Sequence, residues 1–393
     1  GENTTTSPTQ EIPAPVEAVL QAATSDTEIW SHWTSDRDTF HTQHQSLWPS
    51  RGHNFRISRG SDPGPHGILL RLHAKGGHYF SAWPHYPEVP EDVDILSLDG
   101  PVRGPEPSRK WYTVFSFGAR ESFPAPPTLG EVVDTFALKR CFWSLDWTQN
   151  HLGASTDSGR VYLAGGSAGA MGSMILASEH PDRFAAILCR KGLFDFTVQD
   201  IQNTGYPEEL FGPITWNLYT DTGMPVFERL DATTISQFNP SEKWPFIRTI
   251  NGRYDPVVGW ASTWNLFDGL STAGRPACHY FDESHHGPDG FWVDNLQDEL
   301  VRRTFNHRSD LPSLRFSDFT LDSDPGNGDP TQGTLIGNLG GSVEFNPNSC
   351  TENAGQLVFD VSLRAEGAAD DAGQPGSRVR LTPRPAGDFQ PGP

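Results

Sequence analysis

The 393-residue chain lacks the basic residues and the long apolar runs that several classes of protein require. It has 29 Lys and Arg against 49 Asp and Glu, so its formal net charge is −20 at pH 7. Binding to nucleic acid or to an anionic membrane surface needs clustered cations, and this balance argues against both. No apolar run approaches the roughly 20 residues of a membrane-spanning helix, so we expect no membrane insertion.

Cysteine is also scarce, with four residues far apart in the sequence: Cys141, Cys189, Cys278 and Cys350. Because no C-x-x-C pair occurs, we expect no metal site, and we expect no cofactor. Disulfide pairing stays open and depends on export. The chain begins with Gly1 and a polar, proline-containing stretch, so we expect a secreted or periplasmic protein whose export signal has been removed.

Between residues 54 and 310, buried strands alternate with helices. This order predicts an α/β fold, with a mostly parallel central sheet covered by helices on both faces. One helix is predicted to start at Thr128, whose spacing to Glu131 matches a capping box. A connection rich in aromatic residues and turns, 197–242, is predicted to form a lid or a pocket wall.

Two flanking regions differ in character from this α/β region. Residues 1–53 are predicted to be an N-terminal extension, irregular except for one helical stretch over 15–23. Residues 311–393 contain recurring turn signals and short apolar runs, which predict a small C-terminal all-β domain.

The segment Gly165–Gly169 (GGSAG) matches G-x-S-x-G, the sequence of a nucleophile elbow. It follows an apolar strand and opens a helix, and in that setting the turn strains the serine and exposes its hydroxyl. The glycines suit the turn because side chains there would collide with neighbouring strands. We therefore predict that Ser167 is a nucleophile. A tightly packed turn or a phosphate-binding loop is the alternative.

A serine hydroxyl needs a base to take its proton, and the base needs an orienting acid. After such an elbow, the acid and then the histidine follow in the chain. Asp255 follows a predicted strand and is the predicted acid, although Asp-Pro is also a common turn. The base comes from the pair His285 and His286. We predict His286 because Gly287 leaves the backbone beside it bare, and His285 stays the alternative.

Acyl transfer also needs backbone N–H donors for the oxyanion that develops. The amide of Ala168, directly after the nucleophile, is one predicted donor. The other is expected from a glycine-containing loop after an early strand. Gly76 and Gly77 are the first candidates there, and His78 is the third.

These segments resemble bacterial esterases of the α/β-hydrolase superfamily. The run VYLAGGSAGAMGSMILASEHPDRFAAIL is similar to the nucleophile region of the prolyl-oligopeptidase-like and the polyhydroxybutyrate-depolymerase- or feruloyl-esterase-like groups. NGRYDPVV and DESHHG fall where those groups carry the acid and the histidine. The resemblance covers residues 54–306 and implies an α/β-hydrolase fold and a secreted or periplasmic esterase. HAKGG replaces the more usual HGGG, which leaves the second oxyanion donor open.

We therefore expect a monomeric serine esterase that cleaves small-molecule or polymeric carboxylic esters through an acyl-enzyme. A serine peptidase with the same residues is one alternative, and the absence of a preceding β-propeller pattern speaks against an oligopeptidase. A non-catalytic carbohydrate- or surface-binding protein is the other. The ordered serine, acid and histidine speak against it.

Two further patterns concern ligands. Tyr79, Trp260 and Trp292 lie near the motifs and are predicted to contact substrate, although most buried aromatic residues only fill the core. The run Asp322–Asp329 has the spaced carboxylates and glycines of a calcium loop. Prolines interrupt it and no Glu stands at position 12, so a metal-free turn is the favoured interpretation.

Overall fold

The computed structural model describes fourteen segments of the chain: 17–33, 52–74, 77–80, 89–99, 119–120, 128–195, 211–231, 234, 243–311, 313–317, 319, 321–353, 356–363 and 380–383. About half of the expected lid, 197–242, lies outside them. The strands within these segments are β1 (Val19–Ala23), β2 (Thr27–Trp33), β3 (Gly52–Ser58), β4 (His66–Leu72), β5 (Val93–Leu98), β6 (Ala119–Arg120), β7 (Val132–Asp134), β8 (Thr156–Gly166), β9 (Ala186–Arg190), β10 (Tyr219–Thr220), β11 (Phe246–Gly252), β12 (Ala277–Asp282), β13 (Leu314–Ser317), β14 (Gly337–Leu339), β15 (Val343–Phe345), β16 (Thr351–Asn353), β17 (Gln356–Val358), β18 (Val361–Leu363) and β19 (Arg380–Pro383). The α-helices are α1 (Phe136–Leu152), α2 (Ala168–Glu179), α3 (Val226–Arg229), α4 (Trp260–Thr272) and α5 (Phe291–Thr304).

Ten of these strands form one sheet in the order β1-β2-β3-β5-β4-β8-β9-β11-β12-β14. The six strands from β5 to β12 in this order run parallel to one another, and the outer pairs on both sides are antiparallel. The predicted mostly parallel sheet with flanking helices is therefore confirmed.

The central strands are buried because helices cover both of their faces. Every residue of β9 and β11 is buried. Neighbouring residues of β9 point to opposite faces: Ile187 packs in the cluster that contains Met174 of α2, and Leu188 in the cluster that contains Leu300 of α5. The sheet thus lies between α2 on one face and α5 on the other.

The N-terminal segment differs from the prediction. Val19–Ala23 is strand β1 and not part of a helix, so that prediction was wrong. It pairs with β2, which pairs with β3, and the three strands extend the central sheet. Backbone pairing along a sheet edge outweighs the helix propensity of this short run.

The predicted helix start at Thr128 was also wrong. The Thr128 amide does donate to the Glu131 carboxylate at 2.8 Å. However, β7 comes next and pairs in parallel with β10, and α1 begins only at Phe136. The local side-chain contact exists without nucleating a helix.

Part of the C-terminal region joins the central sheet. Strand β14 pairs antiparallel with β12 at the sheet edge. The remaining strands of this region form two-stranded pairs: β13 with β19, β15 with β18, and β16 with β17. A separate C-terminal all-β domain stays a prediction.

Candidate active site

Ser167 lies in the turn between β8 and α2 with a φ of 52° and a ψ of −119°. Such a backbone is strained for a residue that carries a side chain. The Ser167 amide donates to the Arg190 carbonyl at 2.9 Å. A Cβ added at Gly165 would lie 2.2 Å from the Gly169 carbonyl oxygen, and one added at Gly169 would lie 2.3 Å from that of Leu72. The predicted need for glycine is confirmed at both positions, although the collision at Gly165 would be with α2 and not with a neighbouring strand.

A chain of hydrogen bonds connects Ser167, His286 and Asp255. His286 Nε2 lies 3.0 Å from Ser167 Oγ, and His286 Nδ1 lies 2.7 Å from Asp255 Oδ2. With the Nδ1–H tautomer, the imidazole donates to the carboxylate and accepts the serine hydroxyl proton. This is the arrangement that a general base requires.

The Asp255 carboxylate is held in place by the turn that follows β11. Its Oδ1 accepts the amides of Val257 at 2.9 Å and Val258 at 3.2 Å, while Oδ2 faces His286. The Asp255 side chain is fully buried, whereas that of His286 is 23% exposed. The acid is thus shielded from water, and the imidazole faces the side from which a substrate can approach.

His285, the alternative base, points elsewhere. Its Nδ1–H donates to the Tyr254 carbonyl at 2.7 Å, and the residue is exposed. The two neighbouring histidines face apart, as expected in an extended loop. Only His286 reaches Ser167.

Comparison with known proteins identifies similar families and folds. Residues 144–305 match the model of the prolyl oligopeptidase family. An S-formylglutathione hydrolase from Agrobacterium tumefaciens superposes on 74% of this chain and 99% of its own, with 12% identity and a TM-score of 0.51. A structure from Bacteroides ovatus described as a dipeptidyl aminopeptidase IV superposes on 71% of this chain but only 36% of its own, with 12% identity and a TM-score of 0.50. No curated protein matches the sequence significantly.

The chain has the α/β-hydrolase fold of serine hydrolases, and over residues 144–305 it is similar to the prolyl oligopeptidase family. In this chain, Ser167, Asp255 and His286 follow β8, β11 and β12. These strands are parallel, so their carboxyl ends meet at the same edge of the sheet.

The candidate backbone donors for the oxyanion follow β8 and β4 in the chain. Ala168 is the first residue of α2, where the first amides have no carbonyl partner within the helix. Gly76 lies outside the described residues. The Gly77 amide donates to the Ala74 carbonyl at 2.9 Å, so in this conformation it is engaged within the loop, contrary to the prediction. His78 accepts the Phe80 amide through Nδ1 at 3.1 Å.

Two of the predicted substrate contacts are core residues. Trp260 is 2% exposed. The Cζ atom of Arg253 lies over the indole, 4.6 Å from the centroid of the Trp260 ring. Trp292 is 1% exposed, and its indole N–H donates to the Phe281 carbonyl. Both predictions were wrong because these rings fill the space between the sheet and its helices. Tyr79 is half-buried, and its amide donates to Asp99 at 3.2 Å.

The run that resembles a calcium loop is organised by an arginine. Four carbonyl oxygens of this region accept hydrogen bonds from the buried guanidinium of Arg253: those of Pro325, Asp329, Pro330 and Thr334. The Gln332 carbonyl is a fifth partner. The carbonyl oxygens that a metal ion would attract thus surround a cation of the chain itself. The described residues contain no group of three or more His, Cys, Asp or Glu that could hold a metal.

Two cations that the sequence patterns did not predict lie beside the site. Arg190 and Lys191 end the apolar run AILCRK, and both side chains are buried, at 2% and 1% exposure. Charged residues at the end of a strand that is covered on both faces were the available signal.

Proposed function

We propose that this serine hydrolase cleaves carboxylic esters through an acyl-enzyme, with Ser167 as nucleophile, His286 as base and Asp255 as orienting acid. The observation that carries the proposal is the continuous hydrogen-bond chain from the Ser167 hydroxyl to the buried Asp255 carboxylate. The 3.0 Å between Ser167 Oγ and His286 Nε2 lies within the range that proton transfer to a general base needs, and the 2.7 Å to Asp255 lets the carboxylate orient the imidazole.

The reaction begins when Ser167 Oγ attacks the ester carbonyl and His286 Nε2 takes the hydroxyl proton. The Ala168 amide donates to the oxyanion, and Asp255 stabilises the imidazolium. His286 then gives the proton to the departing alcohol, which leaves the acyl group on Ser167. A water molecule, deprotonated by His286, attacks the acyl-enzyme and releases the acid.

Two observations support an ester rather than a peptide substrate. The sequence around the three residues resembles that of bacterial esterases. The S-formylglutathione hydrolase is matched over 99% of its length, whereas the dipeptidyl aminopeptidase is matched over only 36%. The match to the prolyl oligopeptidase family favours the second candidate, a serine peptidase. Aryl or polymeric esters are the finer proposal for the substrate.

A substrate panel tests the reaction and its specificity. We expect turnover of p-nitrophenyl esters and of methyl ferulate to exceed turnover of peptide anilides. In the Ser167→Ala variant, kcat should fall by at least about 10³-fold, since the attacking oxygen is lost. Undiminished ester turnover by that variant would refute the proposal, and a preference for anilides would favour the peptidase.

A pair of histidine variants tests the base. His286→Ala should lose activity to a similar extent as Ser167→Ala, because both changes disable the same unit. The matched control is His285→Ala, which should retain kcat within a few-fold, since this imidazole contacts a carbonyl away from the serine. The reverse result would assign the base to His285.

A further inference from the structure

A buried ammonium group lies at the centre of the loop that carries His286. Lys191 follows β9 and is 1% exposed. Its Nζ donates to three carbonyl oxygens of this loop: His285 at 2.5 Å, Gly287 at 2.8 Å and Asp289 at 2.8 Å. An ammonium group has three N–H donors, so a single loop can use all of them.

The backbone on both sides of His286 is bound to the ammonium. The carbonyls on either side of this histidine, at residues 285 and 287, both turn inward to the ammonium. Arg190 adds a fourth contact, because its Nη2 donates to the Pro288 carbonyl at 2.9 Å. With this backbone held on the inner side, the His286 imidazole extends to Ser167.

The turn that carries Ser167 is hydrogen-bonded to the backbone of Arg190, next to Lys191. The Ser167 amide donates to the Arg190 carbonyl, and the Lys191 amide donates to the Ile250 carbonyl of β11, both at 2.9 Å. Lys191 has a φ of 47°, an unfavourable value for a lysine. Strain of this kind persists where surrounding contacts stabilise it, and here those contacts join the serine turn to the histidine loop.

The surroundings of the ammonium contain charges of both signs. Burial lowers the pKa of Lys191 below its usual value, and the carboxylates of Asp282, Asp255 and Asp289 oppose this shift. Arg190 is the like charge that favours deprotonation. The neutral amine would have two N–H donors for three carbonyls, so one contact to the loop would be lost.

We propose that Lys191 is a positioning residue for His286: its ammonium holds the backbone of residues 285–289 so that the imidazole meets the Ser167 hydroxyl. The inference rests on the proposed function of Ser167 and His286. Without the ammonium, the carbonyls of His285, Gly287 and Asp289 lose their shared donor, so the loop is no longer held in this conformation. A misplacement of about 1 Å at the reacting atoms can cost about 10²-fold in rate.

The test compares Lys191→Met with Arg248→Met. Arg248 is also a buried cation that donates to a carbonyl of the α5 region, that of Leu300 at 2.8 Å, but it lies earlier in β11 and does not contact the histidine loop. The substrate is p-nitrophenyl acetate, and the folded fraction of each variant is measured by fluorescence during urea unfolding. Per folded molecule, kcat of Lys191→Met should fall about 10²-fold. KM should stay within about twofold, since the Lys191 side chain is buried and its ammonium is bound to the loop carbonyls. Arg248→Met should lower stability while keeping kcat.

The pH profile adds a readout that stability alone would not move. In the wild type, kcat should decline on the alkaline side as Lys191 loses its proton, and this decline should be missing from Lys191→Met. If Lys191→Met does not fold, Lys191→Gly replaces it, because glycine accepts the positive φ without strain. Unchanged kcat in the folded Lys191 variant, or an equal loss in Arg248→Met, overturns the inference. Activity retained by Ser167→Ala would instead overturn the proposed function.

Discussion

Replacement of His279 by Phe should make the free energy of unfolding less dependent on pH between about pH 7.5 and about pH 5. His73, His279 and His307 are at most 5% exposed. Burial lowers the pKa of His73 to about 4 and that of His279 to about 3, and it holds the pKa of His307 well below its usual value. These imidazoles stay neutral when folded but take up protons when unfolded, so the stability they contribute is present above pH 6.5 and is lost as the pH falls.

The magnitude follows from the proton uptake. At about pH 5 an unfolded histidine is almost fully protonated, which costs the folded state about 2 kcal/mol relative to about pH 7.5. The three together amount to about 6 kcal/mol, comparable with the whole stability of many domains. His66 acts in the opposite direction. Burial tends to lower its pKa, but hydrogen bonds to Asp94 and to the Asp62 carbonyl prevail and raise it. Its contribution is present below pH 6.5 and is lost as the pH rises.

The assay is urea unfolding of the wild type and the variant at several pH values. The His279→Phe variant should take up one proton fewer on unfolding. The slope of its unfolding free energy against pH should therefore be smaller by up to about 1.4 kcal/mol per pH unit. Phe267→Leu is the matched control, because Phe267 stacks on His279 with ring centroids 4.1 Å apart but does not titrate. It should lower stability equally at every pH. Parallel curves for the wild type and His279→Phe would refute the reasoning.

Three further predictions concern the site and its support. Asp255→Asn should lower kcat by about 10⁴-fold with little change in thermal stability, because the amide favours the wrong imidazole tautomer; an unchanged kcat would contradict this. Arg253→Met should destabilise the protein by about 2–4 kcal/mol and speed proteolysis within 322–334, whose carbonyls lose their donor, and Arg253→Lys should rescue only part of this. Gly169→Ala should destabilise by at least about 1–3 kcal/mol in urea unfolding, because its Cβ would meet the Leu72 carbonyl; wild-type stability would contradict the close approach.

The sequence was sufficient to predict the central sheet and the elements that carry the site. Ser167, Asp255 and His286 each follow a predicted strand, and parallel strands bring their carboxyl ends to the same edge. By that rule, three residues that are far apart in the sequence lie close together in the fold. The order of serine, acid and histidine then restricts which histidines can take part.

The elements that the sequence did not predict depend on long-range pairing. VLQAA at 19–23 is short and has no decisive period, so its pairing with β2 decides its structure. Val132 and Val133 pair with residues 219–220 before α1 can begin, although the capping contact of Thr128 is present. Export and a monomeric state stay predictions, because they concern segments and surfaces that these patterns do not constrain.

The contacts of the buried cations near the site could not be predicted from local sequence. An arginine or lysine at a strand end normally predicts exposure, since its charge is costly to bury without partners. The partners of Lys191 are carbonyls about a hundred residues later in the chain, and those of Arg253 belong to the 322–334 segment. A cation that directly follows a strand covered on both faces is therefore a usable signal. Such a residue must find its acceptors in a loop at the carboxyl edge of the sheet, which is where the catalytic residues of an α/β-hydrolase also lie.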